Sequence, residues 1–167
     1  MRLLKISIVF LVFGLIYSCT NPFAPKLDNE LGADGSLISP QTTIEGLFQN
    51  FQYSYTFKDT TIYGGLINSN YSFIYRDYDL SVDVSWGRDD DMRVTYGLFQ
   101  NTQRLDLIWN NIVSMTEDST NIIRSFNLTI TFNPTDIINI DGRVNLDLEK
   151  NDKGVWKIVN WIDESNF

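Results

Sequence analysis

The stretch that decides the fold is Gly154-Val155-Trp156-Lys157-Ile158-Val159-Asn160-Trp161-Ile162-Asp163. From Val155 to Ile162 apolar side chains fall on both faces of an extended chain, as a strand covered on each side requires. Working back from it, Val144, Leu146 and Leu148 alternate with polar neighbours, and so do Phe126, Leu128, Ile130 and Phe132, and Leu105, Leu107 and Trp109. A period of two turns one face of each segment to a core. The turn chemistry of Asp118-Ser119-Thr120-Asn121, Asn133-Pro134-Thr135-Asp136 and Asn151-Asp152-Lys153-Gly154 separates them. Everything after Asn101-Thr102 therefore reads as four long antiparallel strands.

Upstream the period changes. Ser39-Pro40 is a helix start, with a serine oxygen to cap orphan N–H groups and a proline where no donor is needed. Ile44, Leu47, Phe48, Phe51 and Tyr55 follow as a single apolar stripe, which predicts a helix over about 40–57. Asp59 caps a short second helix carrying Ile62, Tyr63 and Leu66, ended by Asn68-Ser69-Asn70. Tyr71, Phe73 and Tyr75 then alternate as a strand, and Leu80, Val82, Val84 and Trp86 read as an edge strand or extended loop. Asp89, Asp90 and Asp91 place negative charge where a helix N-terminus favours it; with Met92, Tyr96 and Phe99 they predict a third helix over about 89–100. Helices first and a meander after them make an α+β domain whose sheet curls round the helices. A lipocalin-like barrel or a β-sandwich is the alternative, and neither places the strong first helix.

This order of elements, closed by Gly154-x-Trp156-Lys157-Ile158-x-x-Trp161-x-Asp163, resembles the nuclear transport factor two-like superfamily over about residues 39–163. That cone-shaped fold is shared with ketosteroid isomerase, polyketide cyclases and scytalone dehydratase. The resemblance implies a curved antiparallel sheet wrapped around N-terminal helices, with a pocket at the open end used for either catalysis or binding. Ketosteroid isomerase uses a tyrosine on the first helix as oxyanion donor and an aspartate on the strand after the second helix as base. Aligned on Asp59, those positions fall near Phe51 and Tyr75. Phenylalanine has no donor, and a tyrosine of ordinary pKa about 10 is a poor base at neutral pH. Asp77, two residues on and on the same strand face as Tyr75, is the carboxylate that would keep the isomerase, cyclase or dehydratase alternative alive. Phe51, Tyr71, Phe73, Tyr75 and Trp109 are the candidate ligand-binding residues, and the same rings would serve equally as core.

The chain has 167 residues, 43% apolar and 20% charged, enough for one hydrophobic core. It contains no histidine and one cysteine, which removes zinc fingers, histidine-based metal sites, Ser-His and Cys-His catalytic pairs and intrachain disulfides. Asp77, Asp79 and Asp83 lack the glycine and closing glutamate of a calcium loop. No cofactor and no metal are expected. A net charge of −8 argues against nucleic acid.

At the N-terminus, Met1-Arg2-Leu3-Leu4-Lys5 precedes an uncharged run from Ile6 to Tyr17, a length suited to a secretory signal and too short to span a bilayer. It ends in Ile16-Tyr17-Ser18-Cys19, which resembles the bacterial lipoprotein signal. That resemblance implies cleavage before Cys19, acylation of its thiol, and, with Thr20 in second place, sorting to the outer membrane. Residues 1–18 are then signal peptide, 19–38 a lipidated, turn-rich tether and 39–167 the domain. Loss of Arg2 and Lys5 leaves 11 basic against 21 acidic residues, so lipid and not charge must hold the protein to the membrane. The expectation is an envelope-anchored, non-catalytic protein that binds a small apolar ligand or a partner protein. A second copy, paired through the sheet, is also among its expected partners.

Overall fold

The computed structural model describes residues 38–164. Residues 1–37, on which the expected signal peptide, the expected acylation at Cys19 and most of the expected tether fall, lie outside the described residues. In chain order the elements are α1 (Ile44–Thr56), α2 (Thr60–Leu66), β1 (Ile67–Asp77), β2 (Val82–Gly87), α3 (Arg88–Asn101), β3 (Arg104–Met115), β4 (Asn121–Asn133), β5 (Asp136–Lys150) and β6 (Trp156–Asp163). One six-stranded sheet in the order β2-β1-β6-β5-β4-β3 bends over the three helices. This is the α+β architecture expected, with one departure: β6 lies parallel to β1, so the sheet is mixed and not wholly antiparallel. The chain leaves β1 at the β2 edge and returns along β3, β4 and β5 from the other, which brings β6 into the gap beside β1 in the same direction.

That central place explains the closing sequence, since none of the eight residues of β6 is exposed. Its alternation is broken on purpose. Leu148 pairs with Ile158, Leu146 with Trp161 and Val144 with Asp163, the register slipping between Asp147 and Leu148. Directly paired residues share a face, so the extra residue lets Ile158, Trp161 and Asp163 all point to the side where Val144, Leu146 and Leu148 are buried.

The helix starts need one correction. α1 is capped by Thr43, whose Oγ1 accepts from the Gly46 N–H at 3.0 Å, and not by Ser39. Ser39 is held elsewhere: its N–H donates to Asn50 Oδ1 at 2.8 Å and its carbonyl accepts from Asn50 Nδ2 at 2.9 Å. The buried Asn50 thus straps the incoming chain across the helix it precedes. The strap lies so close that a Cβ on Gly46 would sit 2.0 Å from the Pro40 carbonyl oxygen. The expected stripe is in place, with Leu47, Phe48, Phe51 and Tyr55 buried.

Asp59 caps α2 as expected, its Oδ1 accepting from Thr61 N at 2.7 Å and Ile62 N at 3.1 Å. The helix does not run on to Asn68–Asn70; β1 starts directly at Ile67 and those residues fall where its register with β6 slips. Side chains from distant parts of the chain stop the helix. Arg88 donates to the Gly64 carbonyl at 3.1 Å, Gln41 to that of Gly65 at 3.2 Å, and Lys157 also reaches Gly65. With its orphan carbonyls satisfied by tertiary partners, α2 has no need of an Asn turn. In α3 the buried stripe is Asp91, Thr95 and Phe99, while Tyr96, expected inside, is exposed.

Candidate functional site

Between the helices and the concave face of the sheet lies a cavity of about 270 Å³. Every helix and strand contributes to its wall. Phe51 sits at the hub of the aromatic packing, edge-on to Tyr63, Trp109 and Trp161 at centroid distances of 5.7, 5.3 and 5.5 Å. On the β1–β2 side Phe73 stacks on Trp86 at 4.6 Å. Each such pair contributes about 0.5–1.5 kcal/mol beyond its buried area, so the wall is stiff without being full.

The polar centre of the cavity is Asp91, which the N-terminal turn of α3 carries inward and leaves 4% exposed. Tyr63 Oη donates to its Oδ2 at 2.7 Å, and Trp86 Nε1 and Tyr71 Oη donate to its Oδ1 at 3.0 and 3.5 Å. Burial pushes the carboxyl above its ordinary range, while the bonds from Trp86, Tyr63 and Tyr71 and the charge of Arg88 pull it back. Burial also raises the phenols of Tyr55, Tyr63 and Tyr71, and the charge of Asp91 adds to it, so all three remain protonated donors at neutral pH. Asp163 at the end of β6 lines the cavity too, and its charge raises Tyr55 further. Trp109 Nε1 is satisfied by the Phe48 carbonyl at 2.9 Å. Trp161 Nε1, also on the wall, is buried with no partner among the described residues.

Three of the five ring residues expected at the site line the cavity: Phe51, Phe73 and Trp109. Tyr71 stands behind Asp91 as a donor, and Tyr75 leans half-buried on Trp86, at 5.4 Å, outside the lining. The carboxylates on the cavity wall are Asp91 and Asp163; Asp77 is not among the lining residues and caps the β1–β2 turn by accepting from Leu80 N at 2.9 Å. The sequence reading took Asp91 with Asp89 and Asp90 as a charged helix start. Only its spacing of four and eight from Thr95 and Phe99 marked it as inward-facing. Tyr55, Tyr63, Trp86 and Asp163 were likewise visible as pattern residues without being assigned to the site. Among the described residues no cluster of side chains could hold a metal ion.

No family model matches the sequence, and no curated protein matches it. Solved structures do. Kfla4162 from Kribbella flavida superposes with a TM-score of 0.63 at 11% identity, covering 77% of this chain and 91% of its own. A protein provisionally described as a scytalone dehydratase, from Novosphingobium aromaticivorans, gives 0.63 at 15% identity over 74% of this chain and 82% of that one. An NTF2-like protein of unknown function from Exiguobacterium gives 0.53 at 13% identity over 72% and 98%. The described domain therefore has the nuclear transport factor two-like fold, and at these identities the likeness is one of fold alone.

Proposed function

We propose that this domain is a small-molecule receptor at the bacterial envelope, holding one flat, largely apolar ligand in its cone while acyl chains on Cys19 fix it to the outer membrane. The observation that carries the reading is that the cone is hollow: aromatic rings wall a space of about 270 Å³. Ligand pockets generally run from about 300 to 1,000 Å³ and are apolar with a few placed polar groups. The occupant is correspondingly small, one or two rings, with Asp91, Tyr55 and Thr95 available to orient it.

A second reading, an enzyme moving a proton with Asp91 as base, is favoured by one observation, the raised pKa of a carboxyl in an aromatic cavity. It ranks second because Asp91 already accepts from three donors, and a carboxylate offers about four acceptor positions. Calorimetric titration with naphthol tests the receptor reading. Wild-type protein binds it, and Leu128→Trp, which puts a bulky ring into the half-buried wall of the cavity, abolishes binding without lowering the melting temperature. Equal binding by both proteins would place the ligand elsewhere and overturn the reading.

A further inference from the structure

The hydrogen-bond donors around the cavity differ in what they have to hold. Tyr63, Tyr71 and Trp86 give theirs to Asp91, and the Trp109 indole gives its own to the Phe48 carbonyl. One donor on the wall stands apart: Trp161 Nε1 is buried, and no acceptor meets it among the described residues. The rings edge-on to it, Phe51 at 5.5 Å and Phe73 at 5.2 Å, offer only π faces, which are second-order acceptors.

Folded proteins leave few buried donors unanswered, because an N–H withdrawn from water without a replacement acceptor lowers stability. Here the shortfall falls on a cavity wall, at a residue whose place is set by the backbone: the register slip in β6 pairs Trp161 with Leu146 on the buried side of the sheet. A phenylalanine would pack against the same rings without carrying a donor, so the N–H is the part of Trp161 that packing does not use. The wall also limits the charge of what can answer it. Among the described residues no lysine or arginine lines the cavity, so a carboxylate or phosphate entering it would be desolvated with no cation at its side. A neutral oxygen gives up far less hydration.

We infer that the ligand of the cone carries a neutral acceptor oxygen beside its ring, a carbonyl, ether or hydroxyl, and that Trp161 Nε1–H donates to it. The nitrogen is covered by neighbouring rings, so the bond forms with a turn of the indole edge towards the ligand. This rests on the receptor reading and narrows it to a ligand class. Two probes of one shape separate the oxygen from the ring: acetophenone, and α-methylstyrene, in which a methylene group replaces the carbonyl oxygen. Both are titrated calorimetrically into the full-length wild-type protein and into Trp161→Phe. In the variant the ratio of the two affinities shifts against acetophenone by about tenfold, the worth of one net hydrogen bond, whatever the substitution does to both affinities together. In the wild-type protein the Trp161 indole proton moves downfield with acetophenone and not with α-methylstyrene, a reading that does not depend on the variant folding. A ratio unaltered by the substitution, or equal indole shifts with both probes, overturns the acceptor inference and leaves the receptor reading standing. If neither probe binds the wild-type protein, both fall.

Discussion

Asp91 shows what a single buried carboxylate does in this domain. Its oxygens satisfy the Tyr63 and Trp86 donors, so Asp91→Ala leaves those donors buried and unanswered. An unsatisfied buried donor costs about 1–3 kcal/mol, and a loss of that order is expected in urea unfolding. Asp91→Asn keeps one acceptor oxygen and removes the buried charge, so it loses less. The pH dependence has a definite sign. Because the folded carboxyl is held above its ordinary 3.8, the native state binds this proton more tightly than the unfolded chain does. The stability it contributes is complete below that value and is lost as the pH rises through the raised folded pKa. The unfolding free energy of Asp91→Asn relative to wild type therefore improves as the pH is raised from about 4. A gap that stays constant across that window would contradict the buried-charge account. None of this was legible from three consecutive aspartates, of which Asp89 and Asp90 are exposed and only Asp91 is buried.

The secondary-structure elements were largely legible because period and turn chemistry act locally. The alternation of Leu105, Leu107 and Trp109 and the cap at Asp59 are in place as read. What failed depended on partners far along the chain. Thr43 caps α1 while Ser39 is held by Asn50, eleven residues on, and α2 ends early because Arg88, Gln41 and Lys157 take its carbonyls. Two variants test these tertiary devices. Gly46→Ala drives a methyl into the Pro40 carbonyl oxygen, a backbone atom that cannot rotate aside. It is expected to lower stability by about 1–3 kcal/mol, the usual cost of overpacking, and a neutral effect on the melting temperature would show that the strap is loose. Deleting Val159 removes the extra residue and leaves Ile158 and Trp161 in plain alternation, so Trp161 and Asp163 keep their pairing with Leu146 and Val144 on the cavity side. The expected outcome is a protein, folded though less stable, that still binds naphthol; loss of binding by a folded protein would mean that the bulge itself shapes the site.

At the scale of the whole molecule, the cone was foreseeable from helices followed by a meander and from the closing Trp-Lys-Ile-x-x-Trp. Its hollowness was not, because Phe51, Phe73 and Trp109 would read identically in a filled core. The envelope address remains a matter of the sequence at Ile16-Tyr17-Ser18-Cys19. Two or more acyl chains anchor stably where one holds only weakly. Intact mass of the membrane-extracted protein should correspond to cleavage before Cys19 plus acyl mass, and Cys19→Ala should abolish both. Unacylated wild-type protein in the soluble fraction would end the lipoprotein proposal.

The cone itself is tested most directly through its four tryptophans. Trp86, Trp109 and Trp161 line the cavity, whereas Trp156 is buried outside it, with the Lys150 ammonium 4.6 Å over its ring. Each indole N–H gives its own resonance in a nitrogen–proton correlation spectrum, assigned by replacing one tryptophan at a time with phenylalanine. On titration with naphthol the account predicts shifts at Trp86, Trp109 and Trp161, with Trp161, whose N–H has no partner among the described residues, among the largest, and a stationary Trp156. Movement of Trp156 alone, or no movement at any indole while ligand is bound, would contradict a ligand held in the cone.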